Sequence, residues 1–101
     1  MGNTCRKPTI VERPPIRNIG KYSVDVGPVN VDRTGRVTCH IFSEETGEIE
    51  LQCTRRIVQG IGANFHIHGL EAGKTYRVSF NCPYSENCRG GDEVTFTTTT
   101  V

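Results

Sequence analysis

The sequence predicts an all-β domain, a seven-stranded antiparallel β-sandwich. Three observations carry this reading. Apolar and polar residues alternate with period two in nearly every patterned segment, and no stretch keeps a helical period. The segments are short and separated by turn residues roughly every 8–15 positions, as in a sandwich rather than a strand–helix alternation. Eleven Gly, five Pro, one Met and no Trp in 101 residues favour turns and strands over helices.

The elements follow in order. Thr9-Ile10-Val11 reads as a short strand ended by Arg13-Pro14-Pro15; prolines lack ladder donors, so it belongs at a sheet edge. Tyr22–Val26 alternates cleanly up to Gly27-Pro28, and Val29 and Val31 extend it after a bend. Val37, Cys39 and Ile41 share one face of the third strand, and Ile49, Leu51 and Cys53 one face of the fourth. Phe65 and Ile67 point one way in Asn64–His68, and His66 and His68 the other. Tyr76, Val78 and Phe80 share a face in Thr75–Phe80, and Val94 and Phe96 close the series. The expected core is Ile10, Tyr22, Val24, Val26, Val37, Ile41, Leu51, Phe65, Ile67, Leu70, Val78, Phe80, Val94 and Phe96. Each of the larger ones contributes roughly 1.5–3 kcal/mol when buried.

Length allows one domain, with residues 1–7 as a disordered leader or expression remnant and 8–101 as the sandwich. The opening Met1-Gly2-Asn3-Thr4-Cys5 could carry acyl groups on Gly2 and Cys5, but Arg6 stands where Ser or Thr is wanted, and the leader reading is preferred. Twelve Lys and Arg oppose eleven Asp and Glu, which argues against a nucleic-acid or polybasic membrane-surface protein. No apolar run approaches 18 residues, so no membrane-spanning helix or direct insertion is expected.

Five cysteines, with no C-x-x-C pair, favour an oxidising compartment over a zinc or redox motif, with reduced cytoplasmic thiols as the alternative. If the third and fourth strands turn at Thr46, Ile41 faces Leu51 and Cys39 faces Cys53. A Cys39–Cys53 bridge would close a loop of about 15 residues and contribute roughly 3 kcal/mol. The alternative is two reduced thiols facing the core. Cys82 and Cys88 bracket the loop between the last two strands, and a bridge there would pre-order a recognition loop. Cys5 is left over.

Leu70-Glu71-Ala72-Gly73-Lys74-Thr75-Tyr76 resembles the fibronectin type III signature between its fifth and sixth strands: Tyr76 follows Leu70 by six residues and Gly73 keeps its place. Ala72 stands where Pro is common. The resemblance runs from about Pro8 to Thr99 in strand order, although Val26 occupies the place of that family's buried Trp. It implies an immunoglobulin-like sandwich with the Tyr76 ring in the core and its hydroxyl returned to the loop backbone. It also implies an N-terminus near the last loop, where Cys5 could take Cys82 or Cys88. In the same loop Arg89-Gly90-Gly91-Asp92 differs from an integrin-binding Arg-Gly-Asp by one inserted Gly, and a plain hairpin turn is the preferred reading.

No catalytic pattern is present: no nucleophile elbow, paired-carboxylate context or phosphate loop. His40, His66 and His68 are too few and too dispersed for a metal site, and no cofactor is expected. The expected function is therefore a non-enzymatic interaction, adhesion or spacer module of a larger extracellular or cell-surface protein. It would bind another protein or its neighbouring domains, and be monomeric in isolation. Tyr84 and Arg89 in the last loop, and a sheet face near Arg55, Arg56 and Arg77, are the candidate contacts, since aromatics and arginines anchor interfaces. The alternatives are an accessory module of a secreted carbohydrate-active enzyme and a protease inhibitor presenting Asp32–Gly35, Gly60–Gly62 or Pro83–Gly91 as wedges.

Overall fold

A computed structural model describes residues 8–82 and 94–100. Seven strands form two antiparallel sheets. Strands β1 (Ile16–Arg17), β2 (Ser23–Val29) and β5 (Ala63–His68) make one, in the order β1-β2-β5. The other is β4 (Ile49–Ile57), β3 (Gly35–Ser43), β6 (Thr75–Phe80) and β7 (Val94–Thr97), in the order β4-β3-β6-β7. The inward stripes of the two sheets meet in one core that includes Ile10, Val24, Val26, Val37, Ile41, Phe65, Ile67, Leu70, Val78 and Phe96, all expected there.

Four expectations are corrected. Thr9–Val11 is not a strand: Ile10 forms only an isolated bridge to Val31. The edge strand comes after the prolines, where Ile16 and Arg17 pair with Val26 and Asp25. The Pro15 carbonyl still accepts from the Gly27 N–H at 2.9 Å, the one role a donor-less residue keeps. Tyr22 is 57% exposed. The β2–β5 register ends at Ser23↔His68; the Tyr22 carbonyl still accepts from the Leu70 N–H at 3.1 Å, while its ring lies in solvent with Lys21 over it. Leu51, Phe80 and Val94 are only partly buried, Leu51 because β4 is an edge strand. Val29, Val31 and Ile57 are buried in addition.

The burial of Val29 and Val31 has a local cause. The register runs Val26↔Phe65 and then Val29↔Ala63, so β2 spends three steps where β5 spends two. This bulge inverts the alternation, and odd-numbered valines replace even-numbered ones on the core side. Gly27 sits in the bulge at φ 133°, and a Cβ there would lie 3.0 Å from the Ala63 carbonyl oxygen. Only glycine fits both the angle and the gap.

The β5–β6 corner forms as the resemblance implied. Tyr76 is 1% exposed, its ring stacks on Phe96 at 5.6 Å, and its hydroxyl accepts from the Glu71 N–H at 2.8 Å. Leu70 is buried beside it, and Gly73 takes a φ of 68°. Thr98 ties the closing segment to this corner: its hydroxyl donates to the Glu71 carbonyl and accepts from the Lys74 N–H.

Cys39 and Cys53 stand opposite each other in the β3–β4 ladder, as the turn arithmetic requires. Both thiols are free, so the expected bridge is not formed here. Opposition supplies the geometry, but closing a disulfide also needs an oxidant to remove two electrons. Burial, and secondarily Cys53, push the Cys39 thiol from 9.0 up to about 12. Cys53 is half-buried and lines an open groove of about 270 Å3 with Leu51, Gln52, His66, Ile67 and His68. A thiol reagent at pH 8 is therefore expected to label Cys53 well before Cys39, read by mass spectrometry of the separate cysteine peptides. Equal rates would contradict the assignment. The sign of the Cys39 shift also predicts alkaline loss of stability. Its folded value is raised, so its contribution is complete below pH 9 and is lost as pH rises toward about 12. Cys39→Val should flatten that slope. Cys82 is buried; Cys88, Cys5 and the 1–7 leader lie outside the described residues.

Candidate interaction surface

One end of the sandwich gathers the connections expected to act as wedges. The β2–β3 connection, residues 30–34, and the β4–β5 connection, residues 58–62, lie side by side there. The Gln59 N–H donates to Thr34 Oγ1 at 2.9 Å. A Cβ on Gly62 would meet Asn30 Oδ1 at 2.6 Å, which shows how closely the two loops approach. The N-terminal segment joins them: Val11 N–H donates to the Asn30 carbonyl, and Asn30 Nδ2 to Glu12. The third connection, with Tyr84, Arg89 and the Arg-Gly-Gly-Asp sequence, lies outside the described residues.

The 58–62 turn is built to hold its tip outward. Ile61 N–H and Gly62 N–H both donate to the Val58 carbonyl at 3.1 Å, and Gly60 and Gly62 adopt φ of 84° and 78°. Between those glycines Ile61 is 76% exposed, the most exposed large apolar side chain of the described residues. An isoleucine fixed in that position loses little conformational entropy when a partner covers it.

The arginines do not form one patch. Arg36 and Arg56 are directly opposed on the outer face of the β4-β3-β6-β7 sheet, and neither has an acidic partner among the described residues. Like charges in such a pair repel. Arg55 is opposite inward-facing Val37, so it belongs to the other side of β4 and is exposed only at the edge. Arg77 pairs with Phe42, six residues along β3 from Arg36, which is about 20 Å. There it lies over the Phe42 ring at 5.3 Å and ion-pairs with Glu44 at 3.3 Å. The opposite end of the sheet is acidic: Glu44, Glu45, Glu48 and Glu50 are all exposed around the β3–β4 turn. Lys74 bridges Glu50 at 2.6 Å and Glu71 at 3.1 Å, and these carboxylates hold its ammonium well above the usual lysine range.

His66 and His68 lie on the outer face of the other sheet, ring centroids 4.5 Å apart, with His66 Nδ1 bonded to the Asp25 carboxylate. Hydrogen bonds from Asn18 and His66 hold the Asp25 carboxyl below its ordinary value. No group of three or more potential metal ligands occurs among the described residues.

The sequence pattern marks the 60–62 turn but not the exposure of its isoleucine, and Arg36 was not among the expected contacts. The signal for Arg36 was present, because the arithmetic that opposes Cys39 and Cys53 also opposes Arg36 and Arg56.

Similarity to solved structures decides the fold. The FN5 domain of Drosophila Lar matches 94% of this chain and 100% of its own length, with a TM-score of 0.61 and 12% identity. The chain has a fibronectin type III-like fold. A computationally redesigned β-sandwich protein matches 97% of this chain and 99% of its own, with a TM-score of 0.61 and 14% identity. No protein-family model matches the chain, and no curated protein matches it in sequence.

Proposed function

We propose that this fibronectin type III-like domain is a non-catalytic protein-interaction module of a larger extracellular or cell-surface protein, contacting its partner with the loop end. The observation that carries this reading is Ile61, 76% exposed on a turn whose backbone is hydrogen-bonded to its own base and to Thr34. A solvated isoleucine contributes nothing to the fold, whereas one buried on binding contributes roughly 1.5–3 kcal/mol. Arg36 at the same end adds positive charge, which favours an acidic contact surface, while Arg33 is offset by Asp32 at 3.9 Å. The structural likeness to the Lar FN5 domain, itself one domain of a named protein, supports a modular role.

The test is a binding screen of the purified domain against a panel of purified extracellular domains, with hits repeated using Ile61→Asp. Loss of at least about tenfold in affinity, with the circular-dichroism spectrum unchanged, is expected for a central apolar anchor. Unchanged affinity would remove the loop end as the contact. The same pinned tip suits a protease inhibitor, so a protease panel belongs in the screen; inhibition lost in Ile61→Asp would select that alternative.

A further inference from the structure

We propose that the free edge of β4 pairs with β4 of a second copy of this chain, antiparallel, joining two four-stranded sheets into one of eight strands. This replaces the monomer that the sequence led us to expect, and it is independent of the loop-end contact.

The first ground is the edge itself. Four of the described strands border solvent, and β4 is the longest of them. β1 has two residues and follows two prolines, and β5 and β7 have six and four described residues. β4 pairs only with β3, runs for nine residues and contains neither Pro nor Lys. Its single irregularity is at its first residues, where Phe42 pairs with Ile49. Its charges, Glu50, Arg55 and Arg56, discourage a strand of arbitrary sequence, so this long edge is a template only for a strand of complementary charge.

The second ground is charge, and it selects the partner and its direction. β4 carries Glu48 just before it and Glu50 at its start, and Arg55 and Arg56 at its end. Parallel pairing of two copies would set like against like. Antiparallel pairing about a two-fold axis sets each acidic end against a basic one, twice. With the axis at Cys53, Gln52 faces the partner's Thr54 and Glu50, at the bulge that ends the regular ladder, comes beside the partner's Arg56. With the axis at Gln52, Glu48 faces the partner's Arg56 instead. Directly opposed residues of an antiparallel pair share a face, so both registers keep the half-buried Leu51 and Cys53 stripe on the core side. Arg56, which has no acidic partner among the described residues and is repelled by Arg36, gains one. Glu50 uses one carboxylate oxygen on Lys74 and offers the other. The interface is isologous, as a closed dimer requires.

Sedimentation velocity in reducing, low-salt buffer, from 10 µM to 1 mM (about the range for a small interface), tests this. Wild-type chain is expected to show a monomer–dimer equilibrium that weakens with salt. Arg55→Glu with Arg56→Glu should weaken association at least about tenfold, and so should Glu48→Lys with Glu50→Lys. An equimolar mixture of the two charge-swapped chains should recover it, because the ends are again complementary. Each variant is first shown to keep the wild-type circular-dichroism spectrum, and wild-type β4 amides should gain hydrogen-exchange protection with concentration. A wild-type chain monomeric to 1 mM, dimerisation indifferent to both swaps, or concentration-dependent protection on another strand would each overturn the proposal. Recovery in the mixture cannot come from misfolding, and Ile61→Asp, which tests the loop end, leaves this measurement untouched.

Discussion

Tyr76→Ala is expected to destabilise the domain by about 3–5 kcal/mol, and Tyr76→Phe by about 1–3 kcal/mol. The two substitutions separate two roles of one side chain. The ring is buried and stacked on Phe96, so truncating it removes transfer energy and leaves a cavity between the sheets. The hydroxyl accepts the Glu71 N–H, a partly buried donor at the corner where the chain crosses from β5 to β6. Tyr76→Phe keeps the packing and strands that donor, which costs the desolvation of one unpaired amide. Urea unfolding followed by circular dichroism measures both. Thermal midpoints should fall by roughly 4–8 °C per kcal/mol for a domain of this size. A Tyr76→Phe protein as stable as wild type would show that the corner hydrogen bond contributes nothing, and that packing alone selects tyrosine there.

Phe65→Ala is expected to cost a comparable about 3–5 kcal/mol. Phe65 is fully buried in β5, opposite Val26, and meets Phe80 of the other sheet with ring centroids 5.9 Å apart at 58°. That contact joins the two layers, so its loss weakens the association of the sheets as well as their local packing. A domain with a total stability of about 5–15 kcal/mol would lose a large share of it. Phe65→Leu, nearer in volume, should cost less than half as much as Phe65→Ala. If both substitutions were equal in cost, the aromatic contact rather than volume would be the controlling quantity.

The β3–β4 hairpin shows how much of the arrangement local rules can specify. A turn near Thr46 and a period of two suffice to place Cys39 opposite Cys53 and Arg36 opposite Arg56, and the ladder agrees. The Tyr76 corner is equally local, since Leu70, Gly73 and Tyr76 meet within one short loop. By contrast, Tyr22 continues the alternation of Val24 and Val26 and still lies in solvent, although its carbonyl accepts from the Leu70 N–H at 3.1 Å. The Thr9–Val11 segment has strand composition but only one bridging partner, Val31.

By itself, then, the alternation of side chains along the chain determined an all-β sandwich, most of its core and the register of one hairpin, because each depends on neighbours a few residues apart. Tertiary structure alone decided the rest. It settled which strand forms the open edge, where the bulge at Gly27 turns Val29 and Val31 inward, and which loops meet to hold Ile61 in water. It also separated Arg77 from Arg56. These depend on segments distant in sequence and on where one strand outlasts its partner, which a repeat along a single strand does not encode.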